Sequence, residues 1–505
     1  MTGFSLPSLP PSAPPHSDAP DAWVDRLLLA GPGGEECLHL GTPIDRDALR
    51  ALVEEQSVRL AAAGLGPGGT AALRLPPSVA FVAVLLACWR LGAQVTLLDH
   101  RLTDHEVDAA VARLAPQVLV GSAHRPAAAL RGFSEVDPVA VPLADGRPAR
   151  SGHALIQLSS GSTGPAKVIA RTATDLLREL DCYHRLVEFP GEGERVVLLS
   201  SVVHVLGLVG GLLNGLYSRA ALTVPERMTA AGILAAVAGS DRPTTVVGVP
   251  FHAELLAGTV APPPLPRLRR MIVAGELVRP GLPALFTERY GVPLGTMYGM
   301  TETGVIATDL DGTLHPAKRP VHGMRMRLVK GELQLGSASS PYPGLDDPSR
   351  WSDGWLHTRD AAELVAATPD ATGQGATGPD ATGQDGSESD GTVGLVTVLG
   401  RLDSQVSIGG LKVDLTEVEQ TLTTLPEVRE AVVVFDGGAI EAYLATEPDA
   451  DLALLQAGLT RRLAAYKRPR RLALLPVLPR TATGKLLRDP AALRDSAAAA
   501  TVPAR

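Results

Sequence analysis

Short apolar, β-branched runs alternate with longer amphipathic stretches between residues 70 and 300. The runs TAALRL (70–75), QVTLL (94–98), QVLVG (117–121), RVVLLS (195–200), ALTV (221–224), TTVVGV (244–249) and RMIVAG (270–275) predict strands. The stretches 103–114, 228–239 and 280–290 between them carry helical patterning. Such alternation predicts an α/β fold of mostly parallel sheets covered by helices, with ligands bound at the carboxyl ends of the strands. After about residue 403 the pattern changes to a smaller α+β unit, with a helix near 415–424, strands at 429–435 and 440–445, and a helix at 452–465. The expected organisation is a large N-terminal domain, 21–402, followed by a small C-terminal domain, 403–505.

Two apolar runs need a separate reading. Residues 79–89 stop at Arg90, and residues 202–217 are interrupted by His204 and Asn214. Crossing a bilayer takes ~20 apolar residues, so both are read as buried helices and no membrane span is expected. The second run carries Gly207, Gly211 and Gly215 at i, i+4 and i+8. Each glycine inside a helix costs ~1 kcal/mol against alanine. Either another element packs closely on that face, or the face leaves room for a large substrate. Residues 1–20 are rich in Pro and Ser and read as disordered. Residues 367–391 carry the hexapeptide PDATGQ twice, at 369–374 and 379–384, and read as a flexible insertion without a catalytic role. The Ala-rich tail 494–505 is expected to fray.

The chain has 505 residues and a formal net charge of −8. That balance leaves no electrostatic footprint for nucleic acid or an anionic membrane. Cys37, Cys88 and Cys182 are far apart and lack paired metal spacing. They fit a reduced, cytoplasmic protein, and the N-terminus lacks the pattern of a signal peptide.

The densest chemical signal is LIQLSSGSTGPAK, 155–167. A β-type run leads into a loop of Ser159, Ser160, Gly161, Ser162, Thr163 and Gly164 that ends at Lys167. Hydroxyls, close backbone approach and a cation suit such a loop to wrapping phosphates. It is not a P-loop, because Ala166 stands where that motif needs Gly and Val168 where it needs Ser or Thr.

This loop, followed in order by four further segments, resembles the adenylate-forming superfamily of acyl-CoA synthetases, adenylation domains and luciferase-like enzymes. MYGMTETG (297–304) is similar to the family's Tyr-Gly-x-Thr-Glu segment, and GWLHTRD (354–360) to Gly-Trp-x-x-Thr-Gly-Asp. GRLDSQVSIGGLKVDLTEVE (400–419) resembles the domain junction, and PRTATGKLLR (479–488) the C-terminal segment ending in Gly-Lys. The chain departs from the family at Ala166 and Val168, beside Lys167, and at Arg359, where Gly is common.

The resemblance implies roles residue by residue. Tyr298, Gly299, Gly275, Glu276 and the loop 159–167 would meet the nucleotide, with Tyr298 near the adenine and Thr301 on the α-phosphate. Glu302 would hold Mg²⁺. Asp360 would accept both ribose hydroxyls, and Arg401 would contact the nucleotide. Asp403 would be the hinge on which the C-terminal domain swings, and Lys485 would swing in to the reacting carboxylate and phosphate. His204, Gly207, Gly211, Gly299 and Met300 would line the acid pocket.

By the same resemblance, amino-acid-activating relatives place an Asp after the strand at 195–200. SSVVHVLGL (200–208) has neither Asp nor Glu. A bulky hydrophobic acid without an α-amine is therefore expected, since an unpaired ammonium in a pocket is costly. Ile408, Gly409 and Gly410 resemble the Ser-Gly-Gly stretch of CoA ligases, where small residues would let a pantetheine arm pass. The implied reaction uses ATP and Mg²⁺ to make an acyl-AMP and pyrophosphate, then passes the acyl group to CoA. A carrier protein or an amine stays open as the acceptor, and a non-adenylating binding protein as a further alternative.

Overall fold

The computed structural model describes residues 23–123, 131–159, 167–345, 347–366, 393–402, 404–446, 450–479 and 486–501. Residues 1–20, the insertion 367–391, loop residues Ser160, Gly161, Ser162, Thr163 and Gly164, the hinge residue Asp403 and Lys485 lie outside the described residues, as does the side chain of Ser159.

Among the described residues the strands form five sheets. The largest runs Arg319–Pro320, Gly304–Asp309, Leu294–Met300, Leu268–Val273, Thr244–Gly248, Arg195–Leu198, Ala221–Thr223, Glu36–Leu40 and Thr42–Asp45. Its inner pairings are parallel and its edges antiparallel. A second sheet runs Pro138–Pro142, Val118–Ser122, Thr70–Leu73, Gln94–Leu97, His153–Ser159 and Lys167–Thr172, again parallel inside and antiparallel at both edges. Helix Val79–Arg90 lies between these layers, and its side chains from Val79 to Trp89 are buried nearly all round. An apolar run too short for a membrane thus becomes the centre of the core. No described helix is long and apolar enough to cross a membrane.

The sequence places most of these elements within two residues. The strand expected at 270–275 sits at Leu268–Val273. It stops early because Gly275 takes φ +95°, a left-handed turn that no strand continues through. A mainly antiparallel sheet, including Met326–Val329, Glu332–Gly336, Trp355–Ala366 and Val393–Arg401, carries the Gly-Trp segment.

The run 202–217 is helical, but Leu206–Leu213 is a π-helix before Asn214–Ser218 turns α. The close-packing account of its glycines fits the structure. A Cβ on Gly207 would lie 2.1 Å from the Ser201 carbonyl oxygen, and one on Gly211 2.7 Å from the Leu198 side chain. Both glycines therefore press on the end of strand Arg195–Leu198 and the turn after it, where His204 emerges. Gly207→Ala is expected to lower stability by about 1–3 kcal/mol, the usual range for overpacking. Helix propensity alone gives the opposite sign, so the direction of the shift in the urea midpoint decides between the two.

After residue 404, hairpin Gln405–Ile408/Leu411–Asp414 leads to helix Leu415–Thr423 and a sheet of Val428–Asp436, Ala439–Thr446 and Arg471–Leu475. This unit has its own core around Val418, Leu422, Leu444 and Leu459. Lys467 joins it to helix Asp104–Leu114, donating to Glu106 at 2.9 Å and to Glu417 at 2.8 Å. Burial opposes the Lys467 charge, but the two carboxylates outweigh it and hold the ammonium above its ordinary pKa.

Candidate active site

The phosphate-loop segment hangs from one antiparallel pair. Strands His153–Ser159 and Lys167–Thr172 keep register to their last residues, with Ser159 opposite Lys167. The ends of the Ser/Thr/Gly loop are thus fixed side by side at a sheet edge. Gln157, one turn of the ladder below, donates to the Val203 carbonyl at 2.8 Å and ties this strand to the His204 segment.

Tyr298, Asp360 and Arg401 come together although they are far apart in sequence. Strands Trp355–Ala366 and Val393–Arg401 pair with Asp360 opposite Arg401. Arg401 donates to Asp360 Oδ1 at 3.0 Å, and the Tyr298 hydroxyl donates to Oδ2 at 2.5 Å. Burial pushes the Asp360 carboxyl up, against the pull of Arg401. Burial and then Asp360 push the Tyr298 phenol well above its ordinary value, so it stays a donor. Both carboxylate oxygens are held in a fixed orientation, which is what a two-hydroxyl acceptor requires.

Arg359 adopts φ +62°. A left-handed backbone costs a non-glycine residue of order 1–2 kcal/mol, which explains why the related segments carry Gly there. Here the turn is held by the Arg359 amide donating to Glu332 at 3.0 Å and by its guanidinium donating to the Ser349 carbonyl at 2.8 Å.

Thr301 and Glu302 follow strand Leu294–Met300 at the tip of a hairpin. The Tyr342 hydroxyl donates to Glu302 Oε1 at 2.8 Å and fixes that carboxylate. Gly299 is needed for the hairpin itself, because a Cβ there would meet the Gly304 carbonyl oxygen at 2.7 Å. Met300 is half-buried and packs on the core of the antiparallel sheet. Among the described residues no three His, Cys, Asp or Glu side chains gather as a metal site. A lone carboxylate does suit Mg²⁺ that also binds phosphate oxygens.

His204 follows the turn after strand Arg195–Leu198. Its Nε2 lies 3.8 Å from Asp99 Oδ2 and has no hydrogen-bond partner among the described residues. The side chain keeps 37% of its surface open to the cleft, yet the surrounding protein is dense enough that burial lowers its pKa against the pull of Asp99. Asp99 is already engaged: Arg101 donates to it from Nε at 2.8 Å and from a terminal nitrogen at 2.5 Å. Burial would raise the Asp99 carboxyl, but Arg101 outweighs it and holds the group well below the usual range.

The hairpin after the junction docks onto this cleft. Gly409 and Gly410 take φ +56° and +79°, the two left-handed positions of a type I′ turn. Backbone geometry alone thus calls for both glycines. A Cβ on Gly410 would also lie 2.4 Å from Val249. The Gly410 amide donates to Glu276 at 2.7 Å, and Lys412 donates to the Gly275 carbonyl at 2.9 Å. Asp99, Arg101, Tyr342 and Lys412 belong to the cleft, and none of the sequence motifs assigned them a role.

The AMP-binding enzyme family model matches residues 44–337, and the AMP-binding enzyme C-terminal domain model matches 417–485. A protein of Salinispora arenicola named as a nonribosomal peptide synthetase is 29% identical over 87% of this chain and 6% of its own length. A p-hydroxybenzoic acid–AMP ligase of Mycobacterium tuberculosis is 28% identical over 84% of this chain and 61% of its own length. The chain thus spans less than two thirds of both relatives. An o-succinylbenzoate CoA synthetase from Bacillus subtilis, solved with a product analogue, superposes with TM-score 0.73 at 22% identity, covering 92% of this chain and 96% of that one.

Proposed function

This chain belongs to the AMP-binding enzyme family, and from that premise we propose that it is an ATP-dependent acid–thiol ligase for an aryl carboxylic acid. It joins the acid to AMP, releases pyrophosphate, and passes the acyl group to the thiol of CoA. The observation that carries this reading is Asp360, buried and held on both oxygens by Tyr298 and Arg401. A pair of ribose hydroxyls is the natural partner for a carboxylate fixed in this way.

In the first step Lys167 and the loop before it receive the triphosphate, and Thr301 meets the α-phosphate. Glu302, steadied by Tyr342, would hold Mg²⁺, which would supply neutralisation of phosphate charge. Lys485 enters with the C-terminal domain, 403–505, which turns on Asp403. That domain then offers Gly409 and Gly410 as the CoA path.

Three features favour an aryl acid without an α-amine. Residues 200–208 bring no carboxylate to the pocket. Asp99, the acid beside His204, is committed to Arg101. The ligase relative and the solved neighbour named above are both named for aryl acids. The test is pyrophosphate release with ATP and Mg²⁺ across benzoate, 4-hydroxybenzoate, 2-succinylbenzoate, fatty acids and amino acids, each with and without CoA. Release with one aryl acid and a CoA-dependent thioester by mass are expected. Release without any thioester points to a carrier protein or amine as acceptor, and no release with any acid sinks the ligase reading.

A further inference from the structure

Lys412 stands among the groups assigned to ribose, metal and acid. Its ammonium donates to the Gly275 carbonyl, which takes one of its three N–H donors. Its titration is lowered first by burial and then by Arg401, against Asp360, Glu276 and Glu302; Lys412 in turn affects His204. The residue is exposed, so an arriving anion can reach the ammonium. Lys412 sits two residues beyond Gly410, so the contact of Gly410 with Glu276 and Val249 delivers it. Lys485 belongs to a different segment of the same C-terminal unit.

We propose that Lys412 is the cation of the acyl-transfer step. With the hairpin docked, its ammonium holds the phosphate oxygens of the acyl-adenylate while the thiol attacks. The proposal rests on the two-step ligase reading. In that step the CoA sulfur bonds to the acyl carbon, and the bond from that carbon to the AMP oxygen breaks. The electron pair stays with AMP, and the thiol proton passes to solvent. Negative charge grows on the phosphate, where a fixed ammonium stabilises it more than it stabilises the intact adenylate.

The full chain, Lys412→Met and Lys412→Arg are compared in two assays, using the acid that supports pyrophosphate release in the wild type. ATP–pyrophosphate exchange reports the first step. Rapid-quench conversion of the purified acyl-adenylate by CoA reports the second. Lys412→Met is expected to slow transfer about a hundredfold, and to slow it at least about tenfold more than exchange. Lys412→Arg keeps the charge and is expected to retain most of the transfer rate. Equal losses in both steps, or wild-type transfer in the Met variant, overturn the proposal. Calorimetric titration of AMP into the wild type separates the two readings: a chain that binds no AMP and exchanges no pyrophosphate overturns the ligase reading itself, and this inference with it.

Discussion

Lys485→Ala is expected to slow pyrophosphate release about a thousandfold, the upper range for losing one charge that acts mainly in the transition state. Two described residues, Leu487 and Arg488, follow Lys485 in the chain. The Leu487 amide donates to the Pro479 carbonyl at 2.9 Å. Arg488 pairs with both oxygens of Glu419, on helix Leu415–Thr423, at 2.9 and 2.8 Å. A lysine suits this task because its point charge sits on a long stem that can enter and leave. The assay is release with ATP, Mg²⁺ and the acid, beside conversion of preformed acyl-adenylate by CoA. Transfer is expected to survive in the variant. If both steps fall equally, Lys485 does not belong to the first step alone.

Arg171→Met is expected to cost about 3–5 kcal/mol of stability, the usual result of leaving one member of a buried ion pair without its partner. Arg171 and Glu179 have side chains 3% and 2% exposed and meet at 2.6 Å. Glu179 also accepts from the Val305 amide at 3.1 Å. It fills the space beside Gly304, where a Cβ would come within 2.2 Å of its carboxyl group. One carboxylate thus ties the strand after the phosphate loop to the hairpin bearing Thr301 and Glu302. Burial raises the Glu179 carboxyl even with Arg171 present. A carboxyl whose folded-state pKa is raised destabilises the fold when it must ionise, and that cost is relieved as pH falls through the folded value. The gap between variant and wild type in urea midpoint should therefore narrow as pH falls. A gap that is small or widens on acidification would show that Arg171 does not neutralise Glu179.

Much of this molecule is legible in its sequence because buried parallel strands are largely apolar, and Thr70–Leu73, Arg195–Leu198 and Thr244–Gly248 are mostly so. Strand Trp355–Ala366 is harder to read, since its pattern is half-buried and mixes Trp, His, Arg and Asp with apolar residues. The π-turn at Leu206–Leu213 escapes a helical reading because nothing in periodicity distinguishes it from an α-helix over two turns. Asp360 and Arg401 were found through their segments. Asp99, Tyr342 and Lys412 were not, because each gains meaning from a partner distant in the chain: His204, Glu302 and Gly275. Lys412, two residues beyond Gly410, gains its place only from the docked hairpin.

The glycine contacts of the Leu206–Leu213 turn also bear on how new activities would be bred from this chain. Random mutation reaches every codon there equally, but Gly207, Gly210 and Gly211 admit no side chain without displacing Ser201, Tyr183 or Leu198. A library spread over residues 204–213 therefore draws its working clones chiefly from the half-buried positions His204, Val205 and Leu206. Selection for a different acid would begin its search at those three codons, with the turn behind them inherited unchanged.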